Sequence, residues 1–168
     1  MALEKPVISI VMGSDSDMEV MRQAASVLKK FDIAYEITVA SAHRSPERAS
    51  IFAKTARERG IKVIIAGAGH AAHLAGSMAA YTTLPVIGVP IDSSCLQGLD
   101  SLLSTVQMPP GIPVATVSIG KSGARNAAVL ALQILALSDE ALQDKLLKYK
   151  QDLAEQVEEK AKLIESQQ

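Results

Sequence analysis

The stretch VIIAGAGHAAHLAGSMAAYTTLPVIGVPI, residues 63–91, decides how this chain folds. It carries no Asp, Glu, Lys or Arg over a length sufficient to span a bilayer. Yet Gly67, Gly69, Gly76, Pro85, Gly88 and Pro90 interrupt it. Such breakers divide the run into strand-sized and helix-sized pieces. VIIAG (63–67) has the continuous apolar character of a strand in a parallel sheet. A Gly/Ala-rich helix is expected over about 71–81, and VIGVP (86–90) reads as the next strand. The stretch is buried α/β core, not a membrane span.

The same alternation extends in both directions. VISIVM (7–12) is a short β-branched run followed by GSDSD. Asp17 is placed to cap a helix over 18–30, with Val20, Met21, Ala24, Val27 and Leu28 on its apolar side. YEITVA (35–40) is the second strand. Ser45-Pro46-Glu47 opens the next helix, with Ser45 as cap and Pro46 at the first helical position. Arg57, Arg59 and Gly60 are expected to end it. Beyond the opening stretch, 99–106 reads as a short helix, PVATVSI (113–119) as a fifth strand and 123–137 as a helix. Strand–helix alternation of this kind predicts a doubly wound parallel sheet. Ligands bind such sheets beyond the carboxyl ends of the strands. The loops 13–17, 41–46, 67–73 and 107–113 are the resulting candidates.

Composition narrows the function classes. The 168 residues are 48% apolar and 21% charged, a globular balance for one domain. The net charge of -1 and 3% aromatics, with no Trp, argue against nucleic acid and anionic membranes as partners. One cysteine, Cys95, excludes a disulfide framework, and it reads as a small buried hydrophobe. The N-terminal apolar run is too short for a signal peptide and meets two Asp at once, so a soluble cytoplasmic protein is expected. Between 63 and 138 the only charged residues are Asp92, Asp100, Lys121 and Arg125. So little charge suggests faces covered by other subunits. After Ser138-Asp139, the residues Leu142, Leu146, Tyr149, Leu153, Val157 and Ile164 lie at helical spacings amid many charges. They predict one long amphipathic helix whose stripe packs on a neighbouring subunit.

Three loops carry chemistry-bearing residues. In Gly13-Ser14-Asp15-Ser16-Asp17, backbone N–H groups at a helix start favour an anion, while an Asp suits sugar hydroxyls. A plain turn with Asp17 as helix cap would use the same residues. In Ser41-Ala42-His43-Arg44-Ser45-Pro46, His43 titrates near neutrality and Arg44 offers a rigid fork for phosphate. A capping loop with an exposed His is the competing reading. The two polar loops together point to a phosphorylated small molecule. In Gly67-Ala68-Gly69-His70-Ala71-Ala72-His73, tiny residues permit close approach of a ligand. No Cys, Asp or Glu stands nearby to complete a metal set with His70 and His73, so a His bonded at a helix terminus is favoured over metal. The loop Gln107-Met108-Pro109-Pro110-Gly111-Ile112-Pro113 is rigid enough to cover a flat heterocycle, or is a plain connection.

MGSDSD, SAHRSPE, VIIAGAGHAAHLAG, PVIGVP and LDSLLSTVQMPPGIPVATVSIGKSGARNAA occur in the order found in N5-carboxyaminoimidazole ribonucleotide mutases of purine biosynthesis. The resemblance covers about residues 6–150. It implies a flavodoxin-like three-layer α/β/α sandwich, with a central parallel sheet and a long C-terminal helix. It implies one mutase domain over 1–168, with an α/β core over about 6–138 and the helix over 139–165. It implies an isomerase that moves a carboxylate from the exocyclic nitrogen of the ribonucleotide to the ring carbon. No metal, biotin, ATP or other cofactor is implied, and the assembly is a homo-oligomer, typically an octamer. His43 corresponds to the general acid/base. Ser14, Asp17 and Arg44 correspond to substrate contacts, with Ser41 helping to bind phosphate. Ser16 belongs to the same pocket, and Gly69, His73 and Leu74 to the wall that holds carbon dioxide. The sequence departs from the family's usual AGAGGAAHLPG at two places, with His70 for Gly and Ala75 for Pro, and Met18 stands where many members have Trp. His70 is expected to point away from the ligand, since a large side chain would crowd it. Two other readings remain open: a carboxylase using free carbon dioxide, and a non-catalytic nucleotide-binding scaffold.

Overall fold

The computed structural model describes residues 5–167. The first residues of the N-terminal segment, weighed above as a targeting signal, lie outside that range. Residues 1–131 and 132–168 form two compact units.

The first unit is built on five parallel strands in the order β2-β1-β3-β4-β5. They are β1 (Ile8–Met12), β2 (Tyr35–Val39), β3 (Val63–Gly69), β4 (Val86–Ile91) and β5 (Ala115–Thr116). Ile8 lies opposite Tyr35 on one side and Val63 on the other, so β1 is central. β1 and β4 are buried along their whole length, Ser9 of β1 included, as expected of central strands in a parallel sheet. The chain order reverses between β1 and β3, which makes their carboxyl ends the expected ligand crevice.

Helices α1 (Met18–Lys30), α2 (Pro46–Lys54), α3 (Leu74–Tyr81) and α4 (Leu99–Val106) follow the first four strands in turn. α5 (Gly120–Ala136) follows the fifth. Ala49 and Ala53 of α2 and Leu74, Ala75 and Met78 of α3 share one core with Val11, Ile64 and Ala66. Small residues on these helices let them lie close to the sheet. On the opposite face a side chain at Gly67 would overlap the sulfur of Met21, so glycine is what admits α1. α1 is tied to the start of α5 by Arg125, whose guanidinium donates to Gln23 Oε1 at 2.7 and 3.0 Å. The three-layer α/β/α arrangement read from the sequence is therefore the arrangement found.

Several boundaries differ from expectation, each for a local reason. α2 stops at Lys54, not at Gly60. Residues 55–60 form turns, and Arg59 swings back to pair with Glu36 at 2.9 Å. α3 begins at Leu74 rather than 71, because residues 71–73 form a bend and irregular backbone before it. β5 keeps two residues of the expected seven. α5 starts three residues early, at Gly120. Ser45 stands at the N-cap of α2 as expected, but its side chain makes no capping bond; its hydroxyl accepts from the Ser41 N–H and donates to the Ser41 carbonyl, both at 3.2 Å. Cys95 is exposed rather than buried, because residues 92–98 leave the sheet as a surface loop.

The second unit contains α6 (Glu140–Glu165). Asp139 caps it by accepting from the Leu142 N–H at 3.0 Å. Leu142 is buried, but Leu153, Val157 and Ile164 are exposed in the single chain.

Candidate active site

The carboxyl ends of β1, β2, β3 and β4 open on one cleft of about 560 Å³. Its walls come from the loops that follow these strands.

The first wall is a single 3-10 turn, Asp15–Asp17. Ser14 is extended, and its side chain accepts from the Ser16 N–H at 3.4 Å. The Asp17 carboxylate reaches back to accept from the Ser14 N–H at 3.1 Å. Asp17 therefore closes a capping box on the turn and makes no capping bond to α1, contrary to expectation. Its side chain is 5% exposed. Burial raises its pKa. The Ser14 N–H and the charges of His70 and Arg44 act in the opposite direction.

The second wall is the loop after β2. Ser41 Oγ accepts from the Arg44 N–H at 3.1 Å, and the Ser45 N–H donates to the Ser41 carbonyl at 3.0 Å. This knits the loop into one rigid turn. The Arg44 guanidinium crosses to the first wall and donates from Nη2 to the Gly13 carbonyl at 3.2 Å. One nitrogen of the fork thus fixes the side chain above the cleft, while the group remains exposed. A planar cation held this way suits phosphate.

The third wall runs from β3 to α3. His73 brings Nδ1 to 2.8 Å from Nε2 of His43, with the rings edge-on at 82°. One proton must lie between the two nitrogens. The pair fixes the orientation of both rings at the cleft. Leu74 is buried behind it. Among the described residues no three side chains of His, Cys, Asp or Glu gather as metal ligands do.

Every residue singled out as a site candidate lines this cleft: Ser14, Ser16, Asp17, Ser41, His43, Arg44, Gly69, His73 and Leu74. His70 lines it too, so the expectation that it points away is not met. Its left-handed backbone carries it into the opening beside Asp17. The loop 107–113 does not belong here. It precedes β5, so it lies at the amino ends of the strands, where Gly111, Ile112 and Pro113 line a different cavity. Sequence reasoning missed Ser93, in the loop after β4. A side chain at Gly69 would overlap the Ser93 hydroxyl, so the two loops touch only because residue 69 is glycine. Position after a strand was the available signal for Ser93.

A family model described as AIR carboxylase matches residues 7–156. The chain is 60% identical over 165 residues to N5-carboxyaminoimidazole ribonucleotide mutase of Pyrococcus horikoshii, covering 98% of this chain and 92% of that protein. It is 61% identical over 142 residues to the mutase of Bacillus subtilis, covering 84% and 88%. A crystal structure of Treponema denticola PurE matches with a TM-score of 0.82 at 33% identity, covering 92% of this chain and 95% of that one. With a parallel five-stranded sheet, a cleft at its switch point and relatives of this similarity over nearly the whole length, the chain belongs to the AIR carboxylase family.

Proposed function

We propose that this chain is a mutase that converts N5-carboxyaminoimidazole ribonucleotide to 4-carboxy-5-aminoimidazole ribonucleotide. The observation that carries the mechanism is the His43–His73 contact at a cleft that also holds Arg44 and the buried Asp17. Arg44, Ser41 and the Ser14 turn hold the phosphate, and Asp17 takes the sugar hydroxyls. Ser16 adds a hydroxyl at the same wall. This remote binding sets the imidazole ring beside His43.

Protonated His43 gives its proton to the carbamate nitrogen. The carbon–nitrogen bond breaks, leaving aminoimidazole ribonucleotide and carbon dioxide. The pocket of Gly69, His73 and Leu74 keeps the gas from escaping. The ring carbon attacks it, and neutral His43 removes the proton from that carbon. The proton lost in the first step is regained in the last, so the cycle balances. His73 positions His43 and its tautomer throughout. No step calls for a cofactor.

In this reading residues 1–168 serve one mutase domain, and the protein works as a cytoplasmic homo-oligomer, an octamer. The exposed Leu96, Leu99, Leu103 and Val106 support assembly, since they form an apolar stripe at helical spacing on and beside α4. Mixing the protein with fresh N5-carboxyaminoimidazole ribonucleotide at low bicarbonate tests the reading. Rapid formation of product is expected, with none from aminoimidazole ribonucleotide plus bicarbonate. Conversion of only the second mixture would identify a carboxylase, and conversion of neither a binding scaffold.

A further inference from the structure

Ser93 lines the cleft from the loop after β4, and the cycle above gives it no task. Its loop is firmly placed. Ile91, the last residue of β4, lies opposite Gly69, the last of β3. The buried Ser101 hydroxyl is 3.0 Å from the Ile91 carbonyl and 2.9 Å from the Gly98 carbonyl, so one donor clamps both ends of residues 92–98. Within the loop, Ser94 Oγ accepts from the Leu96 N–H at 3.0 Å and the Ser94 carbonyl accepts from the Gln97 N–H at 3.1 Å. Ser94 is engaged in holding the turn. Its neighbour is not: among the described residues the Ser93 hydroxyl has no hydrogen-bond partner.

That hydroxyl stands where a side chain on residue 69 would go. Glycine at 69 thus leaves room on the third wall for an oxygen delivered from the next loop. Histidines aside, the other lining residues from β3 to α3 are Ala68, Gly69, Ala71 and Leu74, none of which has a polar side chain. The hydroxyls of the first two walls are engaged there: Ser14 donates to the Asp15 carboxylate at 3.1 Å, and Ser41 accepts from the Arg44 N–H at 3.1 Å. A free donor on an otherwise apolar wall calls for an acceptor on the ligand. In the ribonucleotide reading, the group at this wall is the carboxylate under transfer.

We propose that Ser93 is a specificity-determining residue: its Oγ donates a hydrogen bond to the ribonucleotide's carboxylate, and so separates carboxylated ribonucleotides from bare aminoimidazole ribonucleotide. This assignment rests on the ribonucleotide reading above. A bond to an ionised acceptor is stronger than one to a neutral acceptor. Ser93 therefore holds substrate and product firmly and uncharged carbon dioxide only weakly.

Equilibrium titration of wild type and Ser93→Ala with two ligands tests it: 4-carboxy-5-aminoimidazole ribonucleotide, and aminoimidazole ribonucleotide, which lacks the carboxylate. The substitution removes one oxygen from an exposed residue and is expected to leave the fold intact. Ser93→Ala is expected to bind the carboxylated ligand ~10-fold more weakly, and the ligand without carboxylate within ~2-fold of wild type. The ratio of the two affinities is the readout, because a packing role for Ser93 against Gly69 would weaken both ligands alike. Equal losses for the two ligands would overturn the assignment, as would unchanged affinity for the carboxylated one. Failure of wild type to bind either ligand would instead overturn the ribonucleotide reading, and the Ser93 assignment with it.

Discussion

The two ends of one sheet carry two cavities, and the larger is not the one equipped for chemistry. At the amino ends, about 870 Å³ is lined by Lys54, Arg57, Tyr81 and the 111–113 loop. Its two cations are engaged locally: Arg57 donates to Thr83 Oγ1 at 3.4 Å, and Lys54 sits 5.1 Å from the Tyr81 ring centroid. At the carboxyl ends, about 560 Å³ holds a paired histidine, a buried carboxylate and a tethered guanidinium. Parallel strands explain the difference. Each strand of the sheet ends at the same edge, so successive loops bring their side chains together there. At the amino edge the chain is returning from helices, and the residues that line it close turns.

The largest expected effect belongs to the histidine pair. His43→Asn is expected to lower turnover by ~1,000-fold while leaving ribonucleotide affinity within about 3-fold. Steady-state rates beside equilibrium titration check it, and near-normal turnover would remove His43 from the mechanism. Gly69→Ala comes next. Its methyl group meets both the Ser93 side chain and, at 3.2 Å, the Ile91 carbonyl. Denaturant unfolding is expected to show a loss of ~2 kcal/mol, part of it restored by adding Ser93→Gly. No restoration would mean that the β3 and β4 loops do not meet as described.

A smaller effect separates function from stability at the same edge. Burial raises the Asp17 pKa, so the folded state holds that proton to higher pH than the unfolded state does. The stability it brings is present in acid and is lost as pH rises through the native pKa. Asp17→Asn is therefore expected to raise Tm by ~2 °C near neutral pH, with the gain vanishing in acid. A variant less stable than wild type at neutral pH would contradict the account. The smallest effect is predicted at the opposite edge. Arg57→Ala is expected to leave turnover within about 2-fold, since Arg57 bonds Thr83 and not the cleft. A large loss of turnover there would break the contrast between the two cavities.

Much of this was legible in the residues, for identifiable reasons. β3 and β4 are continuous apolar runs and β1 is broken only by Ser9, so local composition suffices to find them. α4 occupies 99–106 as expected from its spacing. β5 was overestimated because PVATVSI has strand composition, whereas only Ala115 and Thr116 find partners on β4. The site candidates gather at one cleft because each follows a strand. What local sequence does not contain is who faces whom. His43 and His73 come from the loops after different strands, 30 positions apart, and only the sheet order brings them to hydrogen-bonding distance. His70 was misplaced for a similar reason, since its direction depends on a positive φ that composition does not reveal. The loop 107–113 was assigned to the wrong edge through its position before, not after, a strand.

The central claim is that the carboxyl-edge cleft moves a carboxylate without letting it go. The most direct test supplies substrate labelled with heavy carbon in the carbamate, in excess unlabelled bicarbonate, and weighs the product. The account predicts that the label is retained in full at the ring carbon. Product carrying unlabelled carbon from the medium would contradict it, because the gas would then have left the pocket before the ring captured it.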